Sequence, residues 1–179
     1  MTTQVAFLRA INVGGRNKVK MDTLKGAFAA AGCRDVRTYI QSGNVIYEAP
    51  ATGQATLSRE IQIRVNRLVD GEALVIFRTL RHLEGLVSSD PFKEFAVHGD
   101  TKQYVVFLAG RPHMWPDFPL EEPNEALRVL SRTKNDVFIV SGRKKNGRYG
   151  FLNSFIKTLD VAATSRNWNT ITKIVAKFG

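Results

Sequence analysis

The order in which hydrophobic periodicities alternate along residues 5–77 constrains this chain more than any other feature. Val5-Ala6-Phe7-Leu8 is a short apolar run suited to a buried strand. Asn12-Val13-Gly14-Gly15-Arg16-Asn17-Lys18, with two adjacent glycines, breaks it into a loop. Leu24, Ala27, Phe28 and Ala31 then recur at helical spacing; Asp22 suits the first turn and Gly32 the position just past the helix end. Arg37-Thr38-Tyr39-Ile40 and Val45-Ile46-Tyr47 read as the strands of a hairpin about Gln41-Ser42-Gly43-Asn44. Ala49-Pro50-Ala51-Thr52-Gly53 ends it. Leu57, Ile61, Val65 and Leu68 mark one face of a second helix, Asp70-Gly71 turns, and Ala73-Leu74-Val75-Ile76-Phe77 is a fourth strand. Strand, helix, strand, strand, helix, strand is the ferredoxin-like β-α-β-β-α-β unit, an antiparallel sheet with both helices on one face. Its other face must be covered or used for binding.

Beyond a helical stretch over residues 80–87, Ser88-Ser89-Asp90-Pro91 divides the chain into subdomains 1–88 and 89–179. In the second, Tyr104-Val105-Val106-Phe107-Leu108 is a strand. Pro112, Pro116, Pro119 and Pro123 argue against a long helix in residues 110–123. Leu127-Arg128-Val129-Leu130 and Val137-Phe138-Ile139-Val140 form a strand pair about Thr133-Lys134-Asn135-Asp136. Residues 151–159 are helical. Ser165 is expected to cap a last helix with Trp168, Ile171, Val175 and Phe178 on its face. The element order is that of a diverged second copy of the first unit, without a clear sequence repeat.

Size and composition narrow the class. A chain of 179 residues, 44% hydrophobic and 23% charged, builds one large domain or two small ones without a disulfide or structural metal. Its one cysteine, Cys33, excludes an internal disulfide and a cysteine-based zinc site, and is expected to be a packed thiol. The N-terminal residues lack the basic start and apolar core of a signal peptide, and no apolar run reaches the roughly 18 residues of a membrane span. A cytoplasmic protein with no membrane partner is expected. The net charge of +10, with a sequence pI of about 10.0, favours an anionic partner: nucleic acid, a nucleotide, or a phosphorylated or carboxylate ligand. The charge is even: 12 Lys/Arg against 7 Asp/Glu in residues 1–89, and 14 against 9 in residues 90–179. The densest cluster is Arg143-Lys144-Lys145 with Arg148 nearby, which suits a solvated turn and an anion contact equally.

No phosphate-binding G-x-x-x-x-G-K-[ST] loop, G-x-G-x-x-G, H-E-x-x-H or G-x-S-x-G is present. His82, His98 and His113 lack ligand spacing, and surface or loop positions are expected for them. Asp22, Asp35, Asp90 and Asp136 each stand where a cap or turn explains them. Three polar segments remain. The loop of residues 12–18 joins a strand to a helix start, where backbone N–H groups favour anions; Gly14 and Gly15 permit close approach, and Arg16 and Lys18 add charge. Residues 41–44 are turn formers. Thr164-Ser165-Arg166-Asn167-Trp168-Asn169-Thr170 carries more amide than capping requires, and Trp168 is expected in the core.

These segments carry a resemblance. Leu8-Arg9-Ala10-Ile11-Asn12-Val13-Gly14-Gly15, Tyr39-Ile40-Gln41-Ser42-Gly43-Asn44-Val45 and Ser165-Arg166-Asn167-Trp168-Asn169-Thr170 resemble the L-R-[GA]-I-N-V-G-G, Y-I-Q-S-G-N-V and T-R-N-W-N-T signatures of a large, mainly bacterial family known only as a domain of unknown function. The resemblance implies an α+β fold of two ferredoxin-like subdomains, and implies no established activity, cofactor or catalytic residue. Where such proteins often carry a Gly-x-x-Ser-Lys-like stretch, this chain has Asn146-Gly147-Arg148-Tyr149-Gly150-Phe151, so that Ser-Lys pair is not carried over.

The expected ligand-binding residues are Arg9, Asn12, Gly14, Gly15, Arg16, Lys18, Gln41, Ser42, Asn44, Arg166, Asn167 and Asn169. They are hydrogen-bonding groups more than acids or bases, which suits recognition better than bond breaking. The leading expectation is a module that binds an anionic ligand, either a nucleotide-like small molecule or nucleic acid. Sequence-specific RNA binding ranks lower, because Asn44-Val45-Ile46-Tyr47 lacks the aromatic pattern of an RRM strand. The alternatives are an enzyme acting on a small phosphorylated or carboxylated substrate, with Ser42 its one nucleophile candidate, and a structural or oligomer-forming protein. No cofactor is assigned and no metal is expected.

Overall fold

The computed structural model describes residues 1–9, 11–12, 18–95, 100–115, 117, 119–122, 126–147, 149 and 152–179. It divides into two compact units, Met1–Glu84 (with Gly179) and Gly85–Phe178, the division falling inside a helix.

The first unit runs β1 (Thr2–Leu8), α1 (Met21–Ala30), β2 (Arg34–Thr38), β3 (Asn44–Ala49), α2 (Gln54–Asn66) and β4 (Val75–Thr79), and α3 (Leu80–Ser89) follows. The strands pair antiparallel in the order β2-β3-β1-β4, the ferredoxin-like arrangement. Alternation along each strand sends Ala6, Leu8, Val45, Tyr47 and Ala49 to the face that packs on Leu24 and Phe28 of α1 and Ile61 and Val65 of α2. Phe28 meets Tyr47 edge to face at 5.3 Å. Such a pair contributes about 0.5–1.5 kcal/mol beyond its buried area. Cys33 lies in the same cluster, and burial raises its thiol to about 11.

The ends of α1 and α2 are set by local polar chemistry. Gly32 at φ 96° stops α1: its N–H donates to Ala29 O (2.9 Å), and the Cys33 N–H reaches back to Phe28 O (3.1 Å). This is the Schellman arrangement, which answers carbonyls that the helix leaves without partners. At the other helix, the Asn66 Oδ1 accepts the Ala73 N–H (3.1 Å) and the Gln62 Oε1 accepts the Val75 N–H (3.0 Å), which fixes where β4 begins. A bulge in β2 between Arg34 and Arg37 holds Asp35 at φ 46°, with an Asp35–Arg37 ion pair at 3.1 Å.

Alternation sends Val5, Phe7, Ile46 and Ile76 to the second face of this sheet. Val5, Phe7 and Ile46 are 0% exposed and Ile76 is 2% exposed.

The second unit contains β5 (Lys102–Leu108), β6 (Leu120–Glu122), β7 (Leu127–Arg132), β8 (Asp136–Ser141), α4 (Leu152–Thr158), β9 (Ala163–Asn167) and α5 (Trp168–Phe178). Its strand order is β6-β7-β8-β5-β9. Without the edge strand β6, this is the order of the first sheet, with β7, β8, β5 and β9 in the places of β2, β3, β1 and β4. The proline-bearing segment contributes β6 where the first unit has α1. Even the bonds at the strand ends match. Leu8 N–H donates to Gly43 O and Leu108 N–H to Asn135 O (2.8 and 2.9 Å); Arg9 N–H donates to Leu74 O and Ala109 N–H to Ala162 O (both 2.8 Å). Val106, Leu108, Val129, Val137 and Ile139 pack with Phe155 and Ile156 of α4. On the opposite face, the Trp168 ring meets Phe92 at 5.2 Å and Phe138 at 6.4 Å.

Two sequence expectations are corrected here. Ser165 does not cap the last helix; it lies within β9, paired opposite Val106. The helix begins at Trp168, and the Asn167 Oδ1 accepts the Asn169 N–H (3.0 Å) as its cap. Its buried residues are Trp168, Ile171 and Ile174, so the core-facing stripe lies toward Ile174 and leaves Val175 and Phe178 only half-buried. His82 is half-buried in α3, His113 is exposed in the proline-bearing segment, and His98 lies outside the described residues. No helix among the described residues is long and apolar enough to cross a membrane.

Candidate functional site

In the first unit, the end of β1 meets the β2–β3 hairpin. Leu8 N–H donates to Gly43 O, which draws the turn onto the strand end. Gly43 has φ 73°, and a Cβ there would stand 2.9 Å from both Leu8 Cβ and Ile11 Cδ1. Only glycine fits both the backbone angle and the space. Tyr39 N–H donates to Asn44 O (3.0 Å), and the Asn44 amide donates to Tyr39 O and Ser42 Oγ (both 3.0 Å). Asn44 is 0% exposed, so these bonds satisfy an amide that burial would otherwise penalise by about 1–3 kcal/mol.

Asn12 fastens the preceding loop to this turn. Its Oδ1 accepts the Val19 N–H (2.9 Å), and its Nδ2 donates to Val19 O (3.1 Å) and Gln41 O (3.2 Å). One carboxamide thus pairs with both backbone groups of Val19, like a sheet pairing, and ties that residue to the hairpin. Asn12 adopts φ 53°, tolerable for asparagine; Ile40 adopts φ 51°, which a β-branched side chain rarely does, and is 52% exposed.

Around this braced frame Arg9, Lys18, Gln41 and Ser42 are exposed. The structure therefore brings together Arg9, Asn12, Lys18, Gln41, Ser42 and Asn44 in two roles. The two asparagines hold the loop and turn, and the other four residues face solvent. Gly14, Gly15 and Arg16 lie outside the described residues.

Arg166, Asn167 and Asn169 belong to the second unit, at the junction of β9 and α5. Arg166 is 8% exposed; its NH1 donates to Thr164 Oγ1 (2.9 Å) and Ser165 O (2.8 Å). Burial lowers its guanidinium from the usual range to about 10. Asn167 caps α5, and the exposed Asn169 accepts the Thr172 hydroxyl at its carbonyl (3.1 Å). Trp168 is core, as its size suggested.

Sequence reasoning missed the counterpart of Arg166. Arg166 pairs opposite Val105 in β9 as Arg78 pairs opposite Val5 in β4, and the Arg78 NH1 likewise donates to the preceding carbonyl, Phe77 O, at 2.8 Å. Thr79 then caps α3 through the His82 N–H (3.0 Å), as Asn167 caps α5. An arginine followed by a capping residue was the available signal. Among the described residues, no group of three His, Cys, Asp or Glu side chains is placed to hold a metal ion.

These features define an α+β protein of two antiparallel-sheet units whose signature asparagines and glycine are built into turns, strand ends and helix caps. The chain belongs to the family described as "Protein of unknown function (DUF1697)", whose model matches residues 1–138; the motif at residues 165–170 lies beyond that match. No curated protein matches the chain. A solved structure described as conserved bacterial protein SP0830 from Streptococcus pneumoniae is similar over 98% of this chain and 97% of its own, with a TM-score of 0.65 and 20% sequence identity. That likeness is one of fold.

Proposed function

We propose that the protein is a binding module for an anionic ligand, nucleotide-like or nucleic acid, at the loop and hairpin of the first unit. The observation that supports this is the exposed rim of Arg9, Lys18, Gln41 and Ser42 on a frame immobilised by the three bonds of Asn12. A frame ordered before binding lowers the entropic cost of association. Two cations and two neutral hydrogen-bonding groups match phosphate oxygens and polar ligand edges, and none of the four is an acid that would repel an anion. Ser42 Oγ already accepts the Asn44 amide, which suits orientation of a ligand more than nucleophilic attack.

Thermal melting with ATP and with a short oligonucleotide tests the proposal. Ligand at 100 times Kd stabilises by about 2.7 kcal/mol, a rise of roughly 5–11 °C for a chain of this size. The paired substitution Arg9→Gln with Lys18→Gln should remove most of that rise while leaving the unliganded melting temperature within about 2 °C. An equal rise in the variant would overturn the assignment of the site.

A further inference from the structure

We propose that the turn at residues 143–147 of the second unit, together with Lys102, forms a separate contact surface for the phosphate backbone of nucleic acid. The sequence from residue 137 to residue 159 contains Arg143, Lys144, Lys145, Arg148 and Lys157 and no aspartate or glutamate. The fold adds a cation from elsewhere: Lys102, at the start of β5, pairs opposite Ser141 at the end of β8. Its Nζ lies 3.9 Å from the centre of the Tyr149 ring, and the Arg143 guanidinium carbon lies 5.4 Å from the same centre. Arg143 and Tyr149 are joined by an antiparallel bridge, and the turn closes through the Gly147 N–H on Lys144 O (2.8 Å). One aromatic ring therefore gathers two cations that would repel each other in open water.

Among the described residues Asp100 pairs with Arg143, 3.5 Å from its Nε, and both side chains are well exposed, at 77% and 49%. Counting Lys102, Arg143 and Lys145 against it, the described side chains leave a local charge of about +2, which a phosphate polymer complements. The Tyr149 phenol and Asp100 also hold the Arg143 guanidinium in its charged form, raising it above its ordinary value.

The partner follows from the shape of the surface. Lys102, Arg143 and Lys145 are exposed, and the cations are spread over a strand end and a turn instead of surrounding a cavity. That layout suits successive phosphates on a chain better than one enclosed small anion. Both cations stand against the Tyr149 ring, so backbone contact without base reading is the mode they support.

Fluorescence anisotropy with labelled dT20 in 50–200 mM KCl tests this in the full chain carrying Arg9→Gln and Lys18→Gln, which takes the cations of the first unit out of the measurement. Three phosphate contacts on a single strand give a slope of log K on log salt of about −2.1, so affinity falls roughly 18-fold across that range. Adding Lys102→Gln with Lys145→Gln removes two contacts, and the fall becomes roughly 3-fold. The proposal is overturned if the Arg9/Lys18 variant does not bind dT20 at 50 mM KCl, which would place polyanion binding at the first unit. It is also overturned if the further Lys102/Lys145 variant, folded by circular dichroism, keeps the slope of its parent.

Discussion

Replacing Gly43 by alanine tests the most specific structural claim about the hairpin, and two other glycines supply its controls. At Gly43 alanine meets two penalties. Its φ of 73° is left-handed, which costs an L-residue about 1–2 kcal/mol. The new Cβ would also stand 2.9 Å from Leu8 Cβ and Ile11 Cδ1, both buried and backed by core, so relief requires moving the end of β1. Overpacking of that kind costs about 1–3 kcal/mol. Together these destabilise by about 2–5 kcal/mol. Gly32 has φ 96° with no atom within 4 Å, so Gly32→Ala carries the backbone cost alone, about 1–2 kcal/mol. Gly26 lies inside α1, with neither positive φ nor a neighbour within 4 Å, so Gly26→Ala stabilises by about 0.5–1 kcal/mol. Urea unfolding of the three variants, compared at constant m-value, reads these differences directly. Equal losses for Gly43→Ala and Gly32→Ala would refute the close approach of β1 and the turn. A loss for Gly26→Ala would refute the treatment of all three.

Asn12→Ala removes three side-chain bonds and leaves the Val19 N–H without its acceptor; a loss of about 1–3 kcal/mol and faster amide exchange at Val19 are expected, the latter read by NMR. Burial raises the Cys33 thiol to about 11 from an ordinary 9.0, so the folded state holds this proton more tightly than the unfolded state. Its contribution is complete below pH 9, and stability falls as pH rises from 9 to 11; Cys33→Ala should flatten that fall in urea titrations. At pH 7.5 the folded thiol should resist a disulfide-exchange reagent that modifies it rapidly in urea. Trp168→Ala empties the contacts with Phe92 and Phe138 and should cost about 3–5 kcal/mol, with loss of near-ultraviolet circular dichroism. An unchanged aromatic spectrum would mean that Trp168 is not packed against those rings.

The sequence by itself determined the first unit. Its strands, helices and hairpin are written in periodicities of two and 3.6 and in turn residues, signals that act over a dozen residues or fewer. Gly32 announced the end of α1, Gln41-Ser42-Gly43-Asn44 announced a turn, and the proline-bearing segment excluded a helix where β6 now lies. Tertiary structure decided the rest. β9 reads as a polar cap because Thr164, Ser165, Arg166 and Asn167 have no apolar alternation; pairing with β5, some sixty residues earlier, makes them a strand and buries Arg166. The correspondence between the two sheets is hidden for a similar reason. The register offset is 100 residues between β1 and β5, 92 between β3 and β8 and 88 between β4 and β9, so no fixed period survives in the chain. Asn12 and Asn44 stood out as polar residues in loops, where chemistry alone cannot separate a ligand contact from a brace. Only the positions of Val19, Tyr39 and Gln41 made them braces, because a hydrogen bond is defined by partners that the local sequence does not name.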